Sequence, residues 1–136
     1  MNPTMRDALL KVARALPNGA ASVTSDAIDL GVSSKGNFLA LVELLVTVPT
    51  LNVTELPDAK VMTYFLVESA NSDLSSPTVV LRLEKLTQTG AGGAGAAGAT
   101  QRVRISTDSK RYIGIKATGS ASGNATTASL TAEMLF

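Results

Sequence analysis

From Arg102 to Phe136, polar and apolar residues alternate with a period of two, interrupted by short polar stretches. Successive side chains of a strand point to opposite faces, so this period predicts half-buried strands. The first is Arg102-Val103-Arg104-Ile105. After a turn at Asp108-Ser109 a second runs from Lys110 to Ala117. It has Ile113, Ile115 and Ala117 on one face and Tyr112, Lys116 and Thr118 on the other. In a third, Ala128, Leu130, Ala132, Met134 and Phe136 face in, while Ser129, Thr131 and Glu133 face out. The Gly/Ser/Asn break from Gly119 to Asn124 predicts that the last two runs form an antiparallel hairpin. The apolar end, Met134-Leu135-Phe136, predicts a final strand that is paired and packed.

Earlier runs are more apolar. Phe38 to Val48 carries Leu and Val on both faces and reads as a strand, because Val46 and Val48 favour the pleat and Pro49 stops it. Lys60 to Ser69 places Val61, Phe65 and Val67 on one face and Met62, Tyr64 and Leu66 on the other. Full burial of each such side chain is worth about 1.5–3 kcal/mol, so one of these faces is expected to meet another element or another subunit. Thr78 to Leu86 reads as a strand with Val79, Leu81 and Leu83 inward and Arg82 and Glu84 outward. Leu86 is out of phase, which predicts a bulge near Lys85. Ser22 to Ser25 and Ile28 to Leu30 are short strand pieces with a kink at Asp26. Gly90 to Ala99 has almost no side-chain bulk and predicts an exposed, adaptable loop. At the N-terminus Pro3 and the pair Thr4/Asp7 imitate a helix start, and Met5, Leu9, Val12 and Leu16 recur at helical spacing. A helix this short needs a partner surface, on its own domain or, as an arm, on a neighbour.

Composition narrows the chemistry. The chain has 136 residues, 45% of them hydrophobic but only 4% aromatic, so the core is built from Val, Leu, Ile and Ala. The longest apolar run, Phe38 to Val48, is too short to cross a bilayer and includes Glu43. The absence of a long apolar leader predicts synthesis in the cytosol. There is no cysteine and no histidine, which removes disulfides, the usual zinc ligands and the commonest acid–base residue. Gly90, Gly92 and Gly95 formally satisfy G-x-G-x-x-G. The segment that follows alternates as a strand, whereas the dinucleotide fingerprint needs a helix there. Glu43 and Glu68 are the one carboxylate pair that strand geometry brings to mind, and nothing marks it as a hydrolase site. Net charge is +1. The late basic residues Arg102, Arg104, Lys110, Arg111 and Lys116 therefore read as a solvated face or a salt-bridged protein interface, more readily than as a nucleic-acid surface.

Several pieces stand out: Met5-Arg6-Asp7-Ala8-Leu9-Leu10, Pro17-Asn18-Gly19-Ala20-Ala21 and Ser25-Asp26 with Asp29-Leu30-Gly31. Further along come Met62-Thr63-Tyr64, Ser75-Ser76-Pro77-Thr78, the run Gln88 to Ala96, Lys110-Arg111-Tyr112-Ile113 and the Leu135-Phe136 end. Taken together these pieces resemble the capsid cement, or decoration, proteins of tailed bacteriophages. The resemblance implies a mainly β chain, a jelly-roll-like antiparallel β-sandwich over 20–136, with residues 1–19 as a short N-terminal helix or arm. It implies a virion protein made in the host bacterial cytoplasm and bound to the outer capsid surface. Its partners would be the major capsid protein and itself, as a homotrimer in preference to a homodimer. No cofactor, metal, catalytic residue, nucleic acid or membrane enters that picture. The residues expected at subunit or capsid contacts are Met5, Leu9, Val12 and Leu16 of the arm, Met62, Tyr64 and Leu66 of the central strand, and the cations Arg102, Arg104 and Lys116. The alternative is a virion or surface carbohydrate-binding (adhesion) module, which the scarcity of aromatic rings disfavours.

Overall fold

The alternating segments pair into two antiparallel sheets that share one core. The computed structural model describes residues 6–31, 43–106, 108–120 and 122–135. In chain order the strands are β1 (Arg6–Ala15), β2 (Ser22–Thr24), β3 (Ile28–Asp29), β4 (Glu43–Val48), β5 (Val61–Ser69), β6 (Thr78–Arg82), β7 (Gln88–Thr89), β8 (Ala99–Arg104), β9 (Tyr112–Gly119) and β10 (Ser129–Leu135). One sheet has the order β1-β10-β4-β8. The other has the order β2-β9-β5-β6, with β3 also paired to β9 and β7 to β5. The chain is thus mainly β, an antiparallel sandwich, as its periodicity predicts.

Each sheet lines the core with the face that the sequence marks as apolar. Leu44, Val46, Val103, Leu130, Ala132 and Met134 come from the first sheet, and Met62, Tyr64, Leu66, Ile113, Ile115 and Ala117 from the second. Leu51, Leu56, Leu83 and Leu86, from the connections, close it at the sides. Burying these side chains is the main favourable term in folding.

Five expectations are corrected. The N-terminal segment is strand β1, not a helix, and it pairs with β10 from Lys11↔Glu133 to Ala15↔Ser129. Val12 and Leu16 satisfy helical spacing, but Leu10 and Val12 also satisfy period two and pack on the core. The open edge of β10 offers a full hydrogen-bond ladder, which a marginal isolated helix cannot match.

The two C-terminal runs do not form a hairpin. β9 lies between β2 and β5 in one sheet, and β10 lies between β1 and β4 in the other. The polar stretch between them carries the chain from sheet to sheet. It is tied down by backbone bonds from Gly19 N to Gly123 O (2.9 Å) and from Asn124 N to Thr54 O (3.1 Å).

Val79 and Leu81 do not point inward: every residue of β6 is exposed. The bulge lies at Val80, not near Lys85. Leu66 faces Leu81 while Val67 faces Val79, so Val80 is the extra residue. A single 3₁₀ turn, Glu84–Leu86, brings Leu86 into the core and accounts for its phase.

The Gly/Ala segment is not a free loop. Leu51 and Ala96 exchange both backbone bonds (2.9 and 2.8 Å), Gly90 N donates to Lys60 O (2.9 Å), and Ala59 N donates to Gly90 O (2.9 Å). Asp58 Oδ1 accepts from Gly93 N at 2.8 Å, and Thr50 Oγ1 from Gly98 N at 3.1 Å. The lack of side chains is what permits this approach. Gly95 is left-handed (φ +72), and a Cβ there would overlap the Leu51 carbonyl oxygen.

Candidate functional site

The surfaces open to a partner follow from which strand faces the core leaves over. The outer face of the four-stranded sheet carries two in-register rows. Lys11, Glu133, Leu45 and Arg102 lie side by side across β1, β10, β4 and β8, and Ala13, Thr131, Thr47 and Thr100 form the next row. Arg104 follows, opposite Glu43. Arg102, Arg104 and Thr100 are exposed, and Leu45, Thr47 and Thr131 are half-buried. This is a mixed-charge face with short side chains at its centre.

The outer face of the six-stranded sheet is partly covered by its own chain. Ser69 Oγ donates to Ser75 O (2.7 Å), Asn71 Nδ2 donates to Ser75 Oγ (3.0 Å), and Asp73 Oδ1 accepts from Ser75 N (2.9 Å). These bonds fold the loop 70–77 over the sheet, so that Leu74 packs where a Cβ on Gly114 would otherwise stand. Val67, opposite Gly114, is fully buried on this same outer face. Here the surplus apolar face of β5 meets an element of the same chain. Farther along, Thr24, Lys116, Phe65 and Arg82 form an outer row, with half-buried Phe65 between two cations.

The residues expected at contacts divide sharply. Met62, Tyr64 and Leu66 are buried in the chain's own core, as is Leu16; they present no surface to a partner, and that expectation is corrected. Val12 is half-buried against the core. Leu9 lies in β1, and Met5 lies outside the described residues. Arg102, Arg104 and Lys116 do project from outer strand faces, but from different sheets, so they form two surfaces and not one basic patch. Glu43 and Glu68 are likewise on different sheets, and Glu68 Oε2 accepts from Lys110 N at 3.0 Å.

One end of the sandwich holds an open recess of about 510 Å³, lined by Ala70, Asn71, Ser72, Asp73, Ser75 and Tyr112. Beside it the Arg111 guanidinium lies 5.2 Å from the Tyr112 ring centre. Its Nε and Nη2 also donate to Asp29 Oδ1 and Oδ2 at 2.8 and 3.0 Å. These bonds, and that from Gly31 N, hold the Asp29 carboxyl below its usual range. The hydroxyl and backbone N–H of Ser75 do the same for Asp73. Deep in the core, burial pushes the Tyr64 hydroxyl well above its usual range. It therefore remains a donor, to Gln88 Oε1 at 2.6 Å. Gln88 Nε2 in turn donates to Pro49 O (2.8 Å) and Ala97 O (3.0 Å), joining the core to two loops. Gln88 carries no periodic signal in the sequence, since it is a lone glutamine beside a glycine run.

Among the described residues no group of three or more His, Cys, Asp or Glu side chains is placed to hold a metal ion, and no helix is long and apolar enough to cross a membrane. Compared with protein-family models and with curated proteins, the chain matches none.

Proposed function

We propose that this chain is a structural virion protein, a capsid cement protein that binds the outer face of a major capsid lattice and stabilises the head. The sequence resemblance supplies the class. The observation that carries the proposal is the outer face of the β1-β10-β4-β8 sheet, with exposed Arg102 and Arg104 beside Leu45, Thr47, Thr100 and Thr131. Such a surface suits broad contact with another folded protein: Thr47 and Thr131 on its inner strands are short, and charges of both signs, Glu43 and Glu133 on the inner strands and Lys11, Arg102 and Arg104 on the edge strands, set register and partner choice. The rigid sandwich and the clipped Gly/Ala segment suit a part that must hold its shape while bridging neighbours. Many weak contacts repeated over a lattice add through effective concentration when geometry allows them to engage together.

The test is co-sedimentation of the purified chain with phage heads that lack it. Saturable binding that falls for the pair Arg102→Glu and Arg104→Glu supports the proposal. Heads that pellet without the chain would count against it.

A second reading, a carbohydrate-binding module, draws on the recess at Asn71, Asp73 and Tyr112, where an aromatic ring stands beside amide and carboxylate groups. A glycan array would promote it if specific binding were lost in Tyr112→Ala.

A further inference from the structure

β6 is the last strand of its sheet, with β5 on one side and no described strand on the other. Val79, Val80 and Leu81 are 52, 43 and 44% exposed. They are three of the four large hydrophobic residues exposed among the described ones, and they are consecutive. Natural sheet edges are blunted by charges, prolines or bulges. β6 follows Pro77 and ends on Arg82, but its centre, from Thr78 to Leu81, carries neither charge nor proline. The bulge at Val80 breaks the alternation, so all three side chains stand at the surface instead of sharing it with polar ones.

We propose that β6 is a self-association edge that pairs antiparallel, about Val80, with β6 of a second copy of this chain. The strand is self-complementary about that residue. Val80 would face its own copy, Val79 would face Leu81 of the second copy, and Thr78 would face Arg82 of the second copy. Charge does not oppose the pairing. One end of the strand carries Arg82 with Glu84 (3.5 Å), and the other carries Lys110 beside Thr78, with Glu68 accepting from the Lys110 N–H. Each end therefore brings one cation and one anion to the end it meets. A patch that matches itself under a two-fold rotation makes an isologous contact, which closes on two copies. The pairing deepens the reading of this chain as an assembly component, on which it rests, and replaces the expected threefold with a twofold.

The experiment is the mass of the purified full chain by light scattering, with no capsid present. Expected is twice the 14.0 kDa chain mass, concentration-dependent protection of the 78–82 amides from hydrogen exchange, and self-association weakened roughly tenfold or more by Val80→Lys. Val53→Lys, at the other exposed hydrophobic residue, should leave the mass unchanged. Val80→Lys alters an exposed side chain, so its circular dichroism and urea midpoint should match those of the parent. If it misfolds, Leu81→Thr and the exchange data on the parent carry the test. A single-chain mass at every concentration, a three-chain mass, or a two-chain mass indifferent to β6 substitutions would each overturn the pairing. Because heads are absent, failure here is separable from failure to bind a capsid, which co-sedimentation reads independently.

Discussion

Replacing Gln88 with alanine should damage this protein more than any other single polar truncation. The side chain is buried and makes three hydrogen bonds: one from the Tyr64 hydroxyl and one each to Pro49 O and Ala97 O. Truncation leaves all three groups without that partner. A buried group left unpaired costs about 1–3 kcal/mol. Pro49 is half-buried and Ala97 exposed, so water can reach those carbonyls, and the fully buried Tyr64 hydroxyl bears the larger share. With the void left by the missing amide, the total is about 3–5 kcal/mol. Tyr64→Phe strands only Gln88 Oε1 and should cost about 1–2 kcal/mol. Because both changes break the same bond, the double variant Tyr64→Phe/Gln88→Ala should cost less than the sum. Urea unfolding at constant m-value measures all three. Hydrogen exchange over 90–98 should rise in Gln88→Ala, since the bond to Ala97 O helps hold that segment. A cost below about 1 kcal/mol for Gln88→Ala, or strict additivity in the double variant, would refute the network.

The Gly/Ala segment offers a paired comparison: Gly95→Ala meets the Leu51 backbone and should cost roughly 2–4 kcal/mol, while Gly93→Ala, with open space around it, should cost about 1 kcal/mol. Equal urea midpoints for the two would refute the clip. Leu74→Ala should cost about 2–3 kcal/mol and raise hydrogen exchange at Gly114, over which Leu74 packs; unchanged exchange there would contradict the folded-back loop. Asp29 is held below its ordinary value chiefly by Arg111, so its folded form binds a proton less readily than its unfolded form. The stability it contributes is present above the unfolded carboxylate pKa and is lost as pH falls through the folded one. The pair is well exposed, so the effect is small. Asp29→Asn should lower the urea midpoint slightly at neutral pH and leave it unchanged in strong acid, and the reverse order would contradict the ion pair.

The sequence carried the faces of strands better than their partners. In β8, β9 and β10 a single alternation decides which side is buried, and Val103, Ile113, Ile115, Leu130 and Met134 are all inside as their phase requires. Nothing in that alternation says which strand lies alongside. β9 and β10 look like a hairpin because only nine residues, 120–128, separate them, yet those residues cross between sheets. β1 imitates a helix because Val12 fits two periods at once, three residues from Leu9 and two from Leu10, and the open edge of β10 makes the choice. One inserted residue, Val80, was enough to invalidate the inward phase of β6. Composition misled at Gly90–Gly98, where missing side chains allow close backbone contact. Of the expected contact residues, exposed Arg102 and Arg104 are legible from alternation, whereas Met62, Tyr64 and Leu66 look free for a partner because nothing in a single strand shows that the opposite sheet covers them. The exposed edge at β6 was illegible for the same reason that its phase was.

Binding to the outside of a viral head, and strengthening of that head, would both be seen by electron microscopy of heads with and without this chain, joined to a thermal DNA-release curve on the same particles. Extra density on the outer lattice that fits the two-sheet sandwich is expected, with DNA release at a lower temperature when the chain is missing. Identical maps and identical release curves would contradict the proposal.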